Sequence, residues 1–422
     1  MGGLILAAPS SGAGKTTITL GLLRALKNAG HDVRSAKSGP DYIDPQFHSA
    51  ATGQPCVNLD AWAMTPKRIA DLASGHGDLI VEGAMGLFDG APPNGKGSTA
   101  DLARILNLPI VLIVDAKAMS HSIAALVAGF ANHDPEVKIA GLILNRVGSP
   151  RHGDMLRAAL KPLGIPVLGT LPRSEQLSRP SRHLGLVQAG EMPDLDAFLN
   201  IAADHIASHI DLSVLQSLMT PLPDMVADSI EHRSEPRSIA IASDAAFSFC
   251  YPHQIAAWRA AGTEVSYFSP LADDPVPVAD RVFLPGGYPE LYAAQLASNE
   301  NFMQSLRKAT QHSVIYGECG GYMILGETLV DAEGTPHKMA GLLGVTTSFA
   351  NRTLHLGYRT LIETTRDAPK RYTAHEFHYA TTIDAQGTPL FHANDAEGRY
   401  LGPMGLIEGR VSGSFAHIID EI

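Results

Sequence analysis

Gly3-Leu4-Ile5-Leu6-Ala7-Ala8-Pro9-Ser10-Ser11-Gly12-Ala13-Gly14-Lys15-Thr16-Thr17 sets an apolar run, a glycine-rich turn and a lysine in immediate succession. Ile18, Leu20, Leu22, Leu23 and Leu26 then make 16–27 an apolar helix that stops at Gly30. Strand, loop and helix in this register form a phosphate-binding loop. Successive backbone amides converge on phosphate oxygens, a lysine supplies a mobile cation, and a hydroxyl at the helix start can ligate magnesium. The residues expected at nucleotide are Gly12, Ala13, Gly14, Lys15, Thr16 and Thr17. Pro9 stands where the usual motif opens with glycine, so the loop belongs to a variant group and not with the common GTPases.

Short apolar runs at 3–8, 79–81, 110–114, 139–144 and 167–171 alternate with helical patterns, which predicts a parallel sheet covered by helices on both faces. From about Asp211 the chain turns Ser-, Pro- and charge-rich, with Pro221, Pro223 and Pro236, and a second α/β pattern follows. Strands are expected there at 239–243, 265–269, 282–284 and 314–316, and helices at 254–261 and 302–309. Beyond Lys338 the alternation of Thr, Tyr, Phe and Gly predicts short antiparallel strands. The division this gives is a nucleotide- and substrate-binding domain over 1–215, a linker over 216–237 and a second α/β domain over 238–422.

A length of 422 residues exceeds what one core usually supports, in keeping with two domains. The net charge of -11 argues against nucleic acid or an anionic membrane as the main partner. Three cysteines without CxxC spacing speak against a disulfide framework or a zinc site and fit a reducing cytoplasm. The apolar opening lacks a basic leader region and reads as a buried strand, and no apolar run reaches the length of a membrane span.

Carboxylates are needed to complete a magnesium shell beside the phosphates. Gly39-Pro40-Asp41-Tyr42-Ile43-Asp44-Pro45 is a proline-braced loop with two acids, and Glu82 ends the apolar run Leu79-Ile80-Val81, where open α/β sheets bind ligands. Thr16, the two loop acids Asp41 and Asp44, and Glu82 are thus candidates for the metal. Lys37 can meet a phosphate or a substrate carboxylate, or be an ordinary surface lysine.

Far downstream, Val314-Ile315-Tyr316-Gly317-Glu318-Cys319-Gly320-Gly321 runs an apolar strand into a turn of small residues and then a helical pattern, the layout of a nucleophile elbow. The Gly320 amide can donate to an oxyanion formed at Cys319, and Pro285-Gly286-Gly287 offers a second donor at Gly287. A thiolate site also needs a base distant in sequence. His417, His375 and His378 are the candidates, with His417 favoured because 413–417 reads as a strand.

These segments, with Glu82-Gly83-Ala84-Met85-Gly86-Leu87-Phe88-Asp89-Gly90, resemble over essentially the whole length the cobyrinic and hydrogenobyrinic acid a,c-diamide synthases of corrinoid biosynthesis. The resemblance implies an N-terminal P-loop domain similar to dethiobiotin synthetase and a C-terminal flavodoxin-like class I glutamine amidotransferase domain. It implies an enzyme, a ligase using ATP, Mg2+ and L-glutamine, that turns the a and c acetates of a corrinoid or cobalt-free macrocycle into amides through acyl phosphates. Cys319 would be the glutaminase nucleophile and His417 its base. By the same resemblance Thr16, Asp41 and Glu82 would serve magnesium and ATP, Asp44 and Asp89 would serve the carboxylate being activated, Lys37, Asp41 and Tyr42 would bind substrate, and Asn145 would contact adenine. Aromatic residues of Asp244-Ala245-Ala246-Phe247-Ser248-Phe249 would touch the macrocycle or sit in the core. A cytoplasmic enzyme with a homodimer as candidate assembly is the expectation. Most class I amidotransferases carry an acid two residues after the histidine, and here Ile419 stands there.

Val57-Asn58-Leu59-Asp60-Ala61-Trp62-Ala63-Met64 and His183-Leu184-Gly185-Leu186-Val187-Gln188-Ala189-Gly190-Glu191 favour the hydrogenobyrinic, cobalt-free members. The nearest alternatives are a related amidase such as cobyric acid synthase or one acting on a nickel tetrapyrrole. A different class of protein, a partitioning-type ATPase switch with a partner-binding second domain, is the remaining reading.

Overall fold

The computed structural model describes residues 2–177, 188–223, 236–365 and 368–422. The stretch 183–187 and residues 224–235 of the expected linker lie outside them. The chain divides into two compact units, Met1–Asp228 and Ser229–Ile422.

Among the described residues the first unit holds a seven-stranded, wholly parallel sheet. Its strands are β1 (Gly3–Ala7), β2 (Val33–Ser38), β3 (Val57–Leu59), β4 (Asp78–Glu82), β5 (Ile110–Asp115), β6 (Ile139–Val147) and β7 (Val167–Pro172), in the order β3-β2-β4-β1-β5-β6-β7. β1 lies between β4 and β5, so chain order reverses beside it, and the phosphate loop leaves its carboxyl end at that switch point. Helix α1 (Lys15–Asn28) starts on Gly14, whose φ of 94° no side-chained residue adopts readily. A Cβ there would also collide with the Asn145 amide. β2 and β3 were not among the strands expected from sequence. β2 reads Val-Arg-Ser-Ala-Lys-Ser, and its last four residues, Lys37 among them, are buried. A strand so polar escapes a search for apolar runs because pairing of its polar groups, and not their absence, permits burial.

In the second unit β8 (Ser238–Ala242), β9 (Glu264–Phe268), β10 (Arg281–Leu284), β11 (Val314–Glu318) and the strand Val411–Ser414 form a parallel core ordered β9-β8-β10-β11-Val411–Ser414. This is the flavodoxin-like order, with the elbow after the fourth strand. Five antiparallel strands continue the same sheet beyond Val411–Ser414. Those strands reach nine residues in His355–Glu363 and Tyr400–Glu408, longer than the short decorations expected. The strand expected over 413–417 is also divided: Val411–Ser414 ends before Phe415, and His417 opens a new antiparallel strand, His417–Glu421. The break at Phe415 and Ala416 lets His417 leave the parallel core and pair with His375. Phe247 is core, with 1% of its surface exposed.

Candidate functional sites

In the first unit, charged groups gather at the carboxyl ends of β1, β2 and β4. The Lys15 ammonium bonds to the carbonyls of Ser10, at 3.3 Å, and of Met85. The Thr16 hydroxyl donates to Glu82 Oε1 at 2.6 Å and lies 3.2 Å from Asp44 Oδ2. Lys37 Nζ bridges the same two acids, at 2.7 Å from Asp44 Oδ2 and 2.9 Å from Glu82 Oε1. On the far oxygen of Glu82, His48 Nε2 donates at 2.7 Å, and His48 Nδ1 lies 3.5 Å from the Cys56 sulfur. Lys37, His48 and Glu82 are all buried.

Burial alone would neutralise these charges, so their mutual pairing decides their state. It works against the Glu82 carboxylate, but Lys37, His48 and Thr16 outweigh it and hold the acid well below the usual carboxylate range. Lys37 is likewise disfavoured by burial and held protonated by Glu82 and Asp44. Lys15 has the opposite balance: burial depresses it more than Glu82 restores it, and Lys37 adds to the depression.

Of the oxygens expected at a metal, Thr16 and Glu82 meet. Asp41 is turned otherwise: its Oδ1 accepts the amides of Ile43 and Asp44 at 2.7 and 3.1 Å, bracing its own loop. Asp44 stands beside Thr16 in its place. Hard oxygens from Thr16, Glu82 and Asp44 suit magnesium, with the Lys37 ammonium now among them. Tyr42 lies half-buried in the same loop. Asp89 is exposed; its carboxylate accepts the Gly86 amide at 2.8 Å and its charge reaches Lys15.

Asn145 Nδ2 donates to the Ala13 carbonyl at 2.8 Å, which fixes it against the loop. Arg146 reaches the Gly12 carbonyl at 3.0 Å and Asp115 at 2.5 Å. A cleft of about 1230 Å³ runs from Gly14 and Thr17 past Asn145 and Arg146 to Pro172 and His205. His48 and Arg146 were missed in the sequence. His48 left a usable signal: it lies four residues after Asp44 on the helix α2 (Asp44–Thr52), so both face the same way.

In the second unit, Cys319 sits at the elbow with φ 46° and ψ -101°, a strained conformation of the kind stored at working sites. Gly317 and Gly321 pack so closely that a side chain on either would meet backbone, and the Gly321 amide donates to Pro285 O at 3.1 Å. The Gly320 amide favours the Cys319 thiolate against burial. A Cβ on Gly320 would lie 3.2 Å from the Gly287 nitrogen, so these two expected oxyanion donors are neighbours. His417 and Cys319 press toward one point above Gly286, where a Cβ would overlap the imidazole Cε1 and lie 3.1 Å from Nε2 and 3.3 Å from Cys319 Cβ. Phe249 packs 6.4 Å from the His417 ring, centroid to centroid.

Burial, with Glu290 nearby, pushes the Cys319 thiol up, and burial, with His375 and His378, lowers His417 to about 3. The resting pair is therefore neutral thiol and neutral imidazole, ready for a proton to pass from sulfur to nitrogen as attack begins. His375 is held to about 4 by burial and by Arg359, and His378 is tied to Glu376 at 2.8 Å and to Ala380 O at 3.1 Å. Among the described residues no helix is long and apolar enough to cross a membrane.

The chain matches the CobQ/CobB/MinD/ParA nucleotide binding domain over residues 4–187 and the CobB/CobQ-like glutamine amidotransferase domain over 238–421. It is 54% identical over 432 residues to the hydrogenobyrinate a,c-diamide synthase of Brucella anthropi, covering 100% of this chain and 99% of that one. Proteins of the same name from Rhizobium meliloti and Rhodobacter capsulatus are 51% and 50% identical, the first covering 100% of this chain and 99% of its own, the second 99% and 98%.

Proposed function

The chain belongs to the hydrogenobyrinate a,c-diamide synthase family, and on that footing we propose that it amidates the a and c acetates of hydrogenobyrinic acid, using ATP and ammonia from glutamine. The observation that carries this is the presence in one chain of a phosphate loop set against buried acids and a strained cysteine facing a histidine. A switch protein has no use for the second.

The carboxylate is a poor electrophile because its leaving group would be oxide, so the γ-phosphoryl group is first transferred to it. Lys15 leaves the carbonyls of Ser10 and Met85 for the phosphates, and the amides of Gly12, Ala13, Gly14, Lys15, Thr16 and Thr17 cradle them. Thr16 and Glu82 would hold magnesium, with Asp44, which lies beside them, in place of the Asp41 expected from sequence. Bound magnesium would neutralise charge on the moving phosphoryl group. Lys37, Tyr42 and Asp89 would position the acetate, and Asn145 the adenine.

In the second unit the Cys319 thiol proton passes to His417 Nε2 as sulfur attacks the glutamine amide carbon, and the oxyanion is held by the amides of Gly287 and Gly320. The imidazolium returns the proton to the departing nitrogen, which leaves as ammonia, and water releases glutamate from the thioester. Ammonia attacks the acyl phosphate and expels phosphate. Repetition at the second acetate gives the diamide.

The test is the mass of the product formed from hydrogenobyrinic or cobyrinic acid with ATP, Mg2+ and glutamine. Two acid-to-amide exchanges on hydrogenobyrinic acid are expected. Two on cobyrinic acid alone would move the substrate to the cobalt form, and no exchange on either would send the reading to another corrinoid amidase. A cytoplasmic homodimer is the matching expectation for the intact protein, open to sizing in solution.

A further inference from the structure

Most class I amidotransferases carry an acid two residues after their histidine, a role that Ile419 cannot fill. The geometry points to Glu318, the residue before the nucleophile, as the positioning residue for His417. Its Oε2 lies 3.7 Å from His417 Nδ1, while its Oε1 accepts the amide of Ile418, the residue after the histidine, at 3.0 Å. Glu318 and His417 are each 2% exposed, so water does not screen the pair. One carboxylate thus holds the backbone beside the histidine by a hydrogen bond, from 100 residues away in sequence, and sets its other oxygen within ion-pair reach of the ring. The base and nucleophile gain a common mount, because Glu318 and Cys319 are adjacent on the elbow and the Cys319 amide is itself bonded to Ser414 O at 2.8 Å.

The chemistry requires a particular tautomer. Nε2 and the Cys319 Cβ lie 3.1 and 3.3 Å from the same point above Gly286, so Nε2 is the nitrogen set to take the thiol proton, and Nδ1 must then carry the ring hydrogen. An ionised Glu318 beside Nδ1 selects that tautomer and stabilises the imidazolium that forms. A protonated Glu318 would donate to Nδ1 and select the wrong one.

The environment makes this a titrating switch. Burial lifts Glu318 to about 8, against the pull of the Ile418 amide and the neighbouring Tyr316. Cys250, Tyr316 and Cys319 feel its charge, and His375, His378 and Glu376 act on His417 from the adjoining strand. Glutaminase activity depends on the carboxylate form, so it climbs as pH rises through about 8.

The inference rests on the amidotransferase reading, and the experiment separates the two. Glutaminase kcat and KM are measured against pH on the full chain, for the parent and for Glu318→Gln and Glu318→Asp, with ammonium-driven amide formation as the control for folding. The expected result is a fall in kcat of at least about 100-fold for Glu318→Gln, with KM for glutamine held within about 3-fold and the rising limb gone. Glu318→Asp keeps a charge near the ring and is expected to restore part of kcat and the limb. A Glu318→Gln enzyme within about 3-fold of the parent, with the same pH profile, overturns the role. Equal loss through glutamine and through ammonium overturns it too, by showing a structural effect. A parent without any glutaminase activity would instead sink the amidotransferase reading itself.

Discussion

Gly286→Ala places one methyl group where His417 and Cys319 converge. The new carbon would overlap His417 Cε1 and come within 3.3 Å of Cys319 Cβ. Ordinary carbon contact requires the ring to move by about 1 Å. His417 cannot slide along the surface to do so, since it is 2% exposed and its strand is paired to 371–378. A displacement of that size at reacting groups costs about 100-fold in rate, or about 2.7 kcal/mol of barrier. Overpacking of a buried site adds about 1–3 kcal/mol of lost stability in this unit. Steady-state glutaminase assays are expected to show kcat reduced by about two decades with KM for glutamine little changed, because the methyl lies at the thiol and base. Ammonium-driven amidation should continue. A variant with kcat within about 3-fold of the parent would refute the placement of His417 against Cys319 across Gly286.

Cys319→Ala is expected to abolish glutamine-dependent amidation while leaving synthesis from added ammonium, and loss of both would break the division of labour between the units. Lys15→Ala should stop amide formation from either nitrogen source yet leave glutaminase activity, read by glutamate release. Glu376 is disfavoured as a carboxylate by burial but drawn down to about 2 by His378 and Arg359, which lies 2.8 Å away. A folded-state value below the ordinary 4.5 means stability present above pH 4.5 and lost as pH falls toward 2. The shift corresponds to about 3 kcal/mol, so Glu376→Gln should destabilise the parent at neutral pH and flatten acid unfolding between those values. Identical acid unfolding curves for the two proteins would remove Glu376 from the account.

Local features were the readable ones. The phosphate loop and the cysteine elbow each occupy a few consecutive residues, and the strand, turn and helix around them leave periodic patterns of their own. What sequence hid was cooperative. Lys37 is legible as a candidate for a phosphate or a carboxylate, but its burial between Glu82 and Asp44 is not, and β2 goes unseen because its buried Ser35, Lys37 and Ser38 look like loop. His48 carries a spacing signal but no motif, and its role depends on Glu82 arriving from another strand. His417 was chosen from three histidines by its strand-like setting, although that setting divides at Phe415. Glu318 lay in plain view beside Cys319, but nothing in the local pattern says that it turns to a histidine on a distant strand.

The parallel pairing of β11 with Val411–Ser414 makes the elbow depend on a contact that is distant along the chain. Gly317 and Glu318 lie opposite Gly413 and Ser414, so the pairing joins parts of the chain far apart in sequence, and closing that loop costs chain entropy. Contacts of such long range are slow to form. A chain in which this pairing has not formed has the cysteine without its mounted elbow or the imidazole beside it, and is expected not to hydrolyse glutamine. The onset of thiol reactivity during refolding would serve as a clock for completion of the second unit.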